Sequence, residues 1–294
     1  MRKVLKWLGI TLAVLVGLLV TAVVILYFVG RSTLNKTRTV TPPAVTIPSD
    51  EASLSRGQHM VDVNCTSCHG ADLAGDVLLD DPLIGTLYTA NITGLADRRS
   101  DQQLVLAIRH AVGPEGRQII AMPSEAFAEF SQEDLGSIIA YLKTIPYIDK
   151  ISPPPELSFI GHIMVAAGVM GDLSAAEIID HDQPFPEMPE IGANLAYGEY
   201  LSPLCTSCHG EDLSGAQPPI QGSPIAPNLT PGGGLAAWTE AEFIQAMRTG
   251  ITPSGRQLDP EYMPWKSWAK FHDEELRAIW MYLASLPERQ MVLE

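Results

Sequence analysis

The longest apolar run, "LGITLAVLVGLLVTAVVILYFV" from Leu8 to Val29, carries no charge. It is long enough to cross a bilayer as a helix. A removable leader has a shorter apolar core followed by a small-residue cleavage site, so the expectation is an uncleaved membrane anchor over residues 1–30, with a cleaved signal as the alternative. Helical periodicity takes over further on. Ser100 with Gln103 and Thr239 with Glu242 read as capping boxes. Each opens a helix with one apolar stripe: Leu104, Ala107, Ile108 and Ala111 in the first case, Phe243, Ala246 and Met247 in the second. Ser131 signals a later helix carrying Leu135, Ile138, Ile139 and Leu142, and Leu276, Ile279, Trp280 and Leu283 repeat that spacing. Both final helices stop at a proline, Pro146 or Pro287. Shorter helices are expected around 54–63 and 195–201. No convincing alternating strands stand out, and the predicted fold class is all-α.

Two segments break the helical pattern. "TVTPPAVTIPS", Thr39 to Ser49, has three prolines and no charge; it reads as extended chain within a flexible tether over residues 31–50. "LSFIGHIMVAAGVMG", Leu157 to Gly171, is apolar but too short to span a membrane comfortably. It is expected to be a helix packed across one or both domains, with membrane contact as the alternative, inside a linker over residues 149–192.

The periodic segments belong to a duplication. Gly57 matches Gly198, Asn91 matches Asn228, and Arg109 matches Arg248. Gly116-Arg117 matches Gly255-Arg256, and Met122-Pro123 matches Met263-Pro264, with an offset of 137 to 141 throughout. Each copy is domain-sized, which places one unit at 51–148 and the other at 193–290. From Thr39 onward the chain has 13 basic and 34 acidic residues. Such a surface repels nucleic acid, and a nucleic-acid partner is excluded on that ground.

All four cysteines fall in the matching segments "CTSCHG" at Cys65 and Cys205. In C-x-x-C-H the two sulfurs, three positions apart, attach to the vinyl groups of one haem, and the adjacent histidine becomes the proximal iron ligand. Thiol redox chemistry would need a βαβ setting, and a zinc site would need the two pairs close together, whereas a whole domain separates them. The expected cofactors are therefore two covalently bound haem c groups, held by Cys65, Cys68 and His69 and by Cys205, Cys208 and His209. Met122 and Met263 follow the two histidines by 53 and 54 residues. Core filling is the ordinary role of methionine. These two, however, recur in register outside helices, and the following proline holds each in extended backbone. They are the candidate second axial ligands. His59, His110, His162, His181 and His272 have no such pairing and read as surface or packing residues.

Each half resembles a class I cytochrome c domain, with C-x-x-C-H early, Met-Pro in a distal loop and a closing helix. The second half, "PNLTPGGGLAAWTEAEFIQAMRTG" with "SGRQL" and "YMPW", is similar to domains of the cytochrome c subunits of bacterial membrane-bound alcohol and gluconate dehydrogenases. The resemblance implies tandem class I domains behind one transmembrane helix, axial sulfur from Met122 and Met263, and haem propionates near Arg117 and Arg256. Those subunits typically carry three haems, and this chain has two C-x-x-C-H segments. His/Met ligation leaves no open iron position, so electron carriage is expected rather than catalysis. The donor would be a dehydrogenase or quinol-oxidising complex, and the acceptor an oxidase or soluble cytochrome. The N-terminus would be cytoplasmic and the haem domains extracytoplasmic. The alternative is a dihaem cytochrome c peroxidase, which would need one labile haem ligand.

Overall fold

The computed structural model describes residues 2–171, 173–218 and 223–291. Helix α1 (Arg2–Leu34) is one continuous helix, exposed along nearly all of its apolar length. Asp50 caps α2 (Glu51–Asn64), its carboxylate accepting from the Ser53 amide at 3.0 Å. The first half continues through α3 (Thr66–His69), β1 (Val77–Asp81), β2 (Gly85–Tyr88), α4 (Leu95–Arg98), α5 (Asp101–His110), α6 (Ser124–Phe127) and α7 (Gln132–Thr144). Strand β3 (Glu156–Leu157) and α8 (Phe159–Ala166) belong to the linker. The second half repeats the helical skeleton as α9 (Leu195–Leu201), α10 (Pro203–His209), α11 (Glu240–Thr249), α12 (Trp265–Trp268) and α13 (Asp273–Ser285). Both capping boxes form as the sequence predicts, on α5 and on α11.

Each half is built on one close helix crossing, α2 on α7 and α9 on α13. Glycine permits the approach. A Cβ on Gly57 would run into the Ser137 carbonyl oxygen, and one on Gly198 into that of Ala278. Around these crossings lie two separate cores. One gathers Met60, Val61, Leu104, Ile108, Phe127, Leu135 and Ile139; the other gathers Tyr197, Leu201, Phe243, Met247, Leu276 and Leu283.

Three expectations need correction. First, the chain is not free of strands. β1 and β2 form an antiparallel hairpin, and β3 adds to β2 to give the order β1-β2-β3. The turn is fixed by Asp81, whose Oδ1 accepts from the Leu83 and Ile84 amides at 2.7 and 2.9 Å. Second, the segment from Lys36 to Ser49 is not a loose tether. The Arg38 amide donates to the Gly116 carbonyl and the Gln118 amide to that of Lys36, while Val45 and Ile47 pack on the first core. Third, α8 does not lie across the haem domains. It packs along the last turns of α1.

The two halves meet through a buried polar cluster. Arg56 on α2 donates to both carboxylate oxygens of Asp134 (2.8 and 2.9 Å) on α7. It also reaches across to the Tyr197 hydroxyl (2.9 Å) and Glu275 Oε1 (3.2 Å) of the second half. His59 Nε2 lies 2.6 Å from Glu275 Oε2, and the Tyr200 hydroxyl donates to Asp134 at 2.7 Å. Asp134 and Glu275 are each 1% exposed. Unpaired carboxylates this deeply buried would be costly, and the cluster satisfies both. Burial opposes ionisation of Glu275, but the bond from His59 and the charge of Arg56 hold its carboxyl down at about 2. His59, His272 and Glu275 lie close enough together to suggest a metal site. The two rings, however, stack at 4.1 Å and 12°, and Glu275 is engaged by Arg56, Tyr197 and His59. The three belong to the interface.

Candidate haem sites

Both C-x-x-C-H segments are helical. Cys65 precedes α3, which holds Cys68 and His69; Cys205, Cys208 and His209 lie on α10. Helical spacing puts the first cysteine and the histidine, four apart, on one face. All four thiols are free of disulfides. Burial, with the neighbouring cysteine adding to it, pushes the Cys65 and Cys205 thiols up to about 12. Reactive thiol centres have the opposite signature, a lowered pKa in an electropositive setting.

The two histidines are oriented identically. His69 Nδ1 is 2.8 Å from the Ala90 carbonyl oxygen, and His209 Nδ1 is 2.7 Å from that of Pro227. With Nδ1–H donating to a carbonyl, Nε2 keeps its lone pair for a metal. Burial lowers both imidazole pKa values, against the opposing pull of the carbonyl bond. The neutral ligand form is favoured in both halves, and the donor set fits a haem iron.

The segment after each histidine folds back on it. The Gly75 amide donates to the His69 carbonyl and the Gly215 amide to that of His209, both at 2.9 Å. Between them Leu73 and Leu213 each sit at φ 60, a left-handed conformation that leucine rarely adopts. Strain repeated at the same step of both copies marks a constrained site.

The distal segments also coincide. Met122 belongs to the same core as Cys65, and Met263 to the same core as Cys205. In each half the amide two residues on donates to the methionine carbonyl: Ser124 to Met122 (2.8 Å) and Trp265 to Met263 (2.6 Å). Pro123 (φ −77, ψ 57) and Pro264 (φ −75, ψ 51) occupy the centre of this inverse γ-turn. Arg109 and Arg248 hold the short helices that follow, each donating Nη1 to a helix-end carbonyl, Ala128 or Ala269. Arg117 and Arg256, by contrast, are exposed in their loops.

Asn91 and Asn228 repeat in the sequence without declaring a role, and the structure supplies one. Each follows the residue whose carbonyl orients the histidine. Asn91 Oδ1 accepts from the Thr93 amide (3.0 Å), and its Nδ2 donates to the Ile148 and Lys150 carbonyls (both 2.9 Å). Asn228 does the same with the Thr230 amide (2.8 Å) and the Arg289 carbonyl (2.8 Å). The loop that aligns the imidazole is thereby tied to the chain beyond the closing helix. The repeated Asn-x-Thr was the available signal.

The helix after each methionine touches the other half. Helix α6, just after Met122, packs on α10, and α12, just after Met263, packs on α2 and α3. Lys270 adds a direct link, its Nζ donating to Thr66 Oγ1 (2.8 Å) and the Asp62 carbonyl (3.0 Å).

Two such sites on one mainly helical chain define a protein of the attached-haem class. The family model described as "Cytochrome c" matches twice, over residues 54–146 and 196–287. The chain is 28% identical over 271 residues to the fructose dehydrogenase cytochrome subunit of Gluconobacter japonicus, covering 81% of this chain and 53% of that protein. It is 26% identical over 282 residues to the cytochrome c subunit of the quinone-dependent alcohol dehydrogenase of Gluconacetobacter polyoxogenes, covering 83% of this chain and 58% of that protein. A diheme cytochrome c-type protein of Cereibacter sphaeroides is 26% identical over 265 residues, which make up 76% of this chain and 82% of that protein. The chain thus spans little more than half the length of the two dehydrogenase subunits. It belongs to the cytochrome c family. Its two matched segments account for two covalent haem c groups.

Proposed function

We propose that the chain is a membrane-tethered dihaem relay, with haem iron held by His69 and Met122 in the unit at 51–148 and by His209 and Met263 in the unit at 193–290. Cys65, Cys68, Cys205 and Cys208 form the thioethers. The haem groups supply the one-electron chemistry, and the protein supplies orientation, burial and ligand choice. The observation that supports the reading is the reciprocal contact of α6 with α10 and of α12 with α3, which brings the helix after each methionine against the C-x-x-C-H segment of the other half. A thioether ligand favours the reduced state and closes the sixth position, which suits transfer rather than substrate binding. The donor is a dehydrogenase or quinol-oxidising complex, in keeping with the dehydrogenase subunits among the relatives. The acceptor is an oxidase or a soluble cytochrome. Helix α1 stays in the membrane with its N-terminus cytoplasmic; its packing against α8 supports retention. Confinement at the surface raises the effective concentration of membrane partners.

Replacing the sulfur ligands one at a time tests the ligation. Met122→Ala and Met263→Ala should each abolish the sulfur-to-iron charge-transfer band of one haem and open that haem to carbon monoxide, leaving the other unchanged. Unaltered spectra in both variants would remove the ligand assignment. Ready carbon monoxide binding by the parent protein would favour a peroxidase instead.

A further inference from the structure

The apolar stretch from Leu157 to Gly171 has no place in electron transfer, yet it contains no Asp, Glu, Lys or Arg. Its helix, α8, is locked at one end to the first haem domain. The Ser158 amide donates to the Ile84 carbonyl (2.9 Å), and Ser158 Oγ caps α8 through the Gly161 amide (2.9 Å). A Cβ on Gly161 would strike the Ile84 carbonyl oxygen. The tip of the β1–β2 hairpin and the start of α8 are therefore one rigid piece.

That piece rests against α1. The Tyr27 ring stacks on Phe159 at 5.1 Å and lies 5.1 Å from His162. Gly30, the one buried residue among those described in α1, meets the His162 carbonyl so closely that a Cβ would not fit. The less exposed positions of α1 in this region, Val23, Leu26, Tyr27 and Gly30, are spaced as one helix face. From Gly30 back to Tyr27 is about 5 Å of helix.

Apolar side chains around this contact remain open. Phe159 is 51% exposed, Ile160 47%, Leu83 62% and Phe28 60%. A face of that kind on a globular surface calls for a cover. Its depth says which. The Leu8–Val29 run of α1 is about as long as a bilayer core is thick, so residues 29–30 stand at the outer edge of the hydrocarbon. The contacts of Phe159 and His162 with Tyr27 and Gly30 carry the start of α8 about 5 Å inside that edge, within the depth at which interfacial helices lie.

We propose that α8 and the hairpin tip at Leu83 are inserted in the outer lipid leaflet beside α1. The first haem domain then stands on the bilayer through two helices and a loop, at a fixed height, and does not swing on a single tether. The occupant of the exposed face is phospholipid. The proposal rests on the reading that α1 remains in the membrane, and its test separates the two.

Because the native cysteines are tied to haem, an introduced cysteine is the only free thiol. Full-length holoprotein in phospholipid nanodiscs, carrying Ile160→Cys, Leu83→Cys, Leu15→Cys or Arg277→Cys, would be treated with a membrane-impermeant maleimide. Ile160 and Arg277 are matched in exposure, at 47% for the residue and 53% for the side chain. A thiol held in lipid neither ionises nor meets the reagent, so labelling at Ile160→Cys and Leu83→Cys should be on the order of tenfold slower than at Arg277→Cys. If Leu15→Cys is protected while Ile160→Cys and Leu83→Cys react as fast as Arg277→Cys, the insertion is wrong and the anchor stands. Fast labelling at Leu15→Cys would overturn the anchor and the insertion with it. Protection of Ile160→Cys in native membranes but not in nanodiscs would assign the face to a partner subunit and overturn the lipid assignment.

Discussion

Positions 141 residues apart in the two halves fall into two groups. Where each half packs on itself the copies agree: Gly57 and Gly198 at the helix crossing, and Tyr141 and Tyr282 beside them. Where the halves touch they differ: Arg56 against Tyr197, His59 against Tyr200, Ser131 against His272, Asp134 against Glu275. The geometry explains the split. The contacts are reciprocal, His59 with Glu275 and Tyr200 with Asp134, as in an isologous dimer, where only positions at the centre of the interface face their own counterparts. Arg56 and Tyr197 do meet, at 2.9 Å. Two arginines there would repel, and two tyrosines would leave the carboxylates of Asp134 and Glu275 uncompensated. A duplicated chain can place one of each, which an identical pair of subunits cannot. The helix crossings are kept the same in both halves, and the interface is made complementary.

Arg56 is the strongest way to break this picture, because it compensates two buried acids at once. Arg56→Met should cost about 3–5 kcal/mol, the penalty for stranding buried charge. The change at the equivalent position, Tyr197→Phe, removes one hydroxyl and should cost about 1 kcal/mol. Guanidinium unfolding of the holoprotein, followed by circular dichroism, would measure both. Equal losses would mean that the interface is not asymmetric in the way described.

The helix crossings test the opposite half of the comparison. Gly57→Ala and Gly198→Ala each drive a methyl group into a backbone carbonyl, and each should destabilise its own half by about 3 kcal/mol, at the upper end of ordinary overpacking. The two effects should match. A large difference would show that the copies do not share the crossing as closely as the backbone suggests.

How much of this was legible beforehand follows the same division. The attachment segments, the Met-Pro register and the capping boxes at Ser100 and Thr239 depend on residues close in sequence, and the copies corroborate one another. The helix stop before Pro146 and Pro287 was legible for the same reason: α7 ends at Thr144 and α13 at Ser285. The interface was not, because knowing that Arg56 corresponds to Tyr197 does not reveal that they touch. The hairpin was missed because "VLLDDPLIGTLY" lacks clean alternation; its turn depends on Asp81, and its third strand arrives from residues 156–157. Val40, Val45 and Ile47 looked like tether because proline-rich, uncharged chain declares its extension and not its resting place. Helix α8 was placed wrongly because an apolar stretch reads alike whether protein or membrane anchor covers it.

Acid should probe the interface through Glu275. A carboxylate whose folded-state pKa lies below its unfolded value adds stability that is present above the unfolded value and lost as pH falls toward the folded one. With Glu275 lowered from 4.5 to about 2, the window runs from pH 4.5 downward, and about 2 kcal/mol should be gone by pH 3. Glu275→Gln should flatten that part of the pH–stability curve while lowering stability at pH 7. A curve of unchanged shape would remove Glu275 from the account.

The mildest test concerns the one clamp that has no twin. Lys270 reaches from beyond α12 to Thr66 and the Asp62 carbonyl, beside the first attachment segment. Its counterpart at the same spacing is Glu129, whose carboxylate accepts from Gln183 Nε2 at 2.8 Å in the linker. The first site is thus braced by the second half, while Glu129 is turned toward the linker. Both residues are accessible to water, so Lys270→Ala should cost less than about 1 kcal/mol. Amide exchange is the more sensitive readout: protection over Cys65 to His69 should fall in Lys270→Ala, whereas Glu129→Ala should leave Cys205 to His209 unchanged. Loss of protection in both variants would mean that the bracing is mutual after all, and that the halves differ only in the buried cluster.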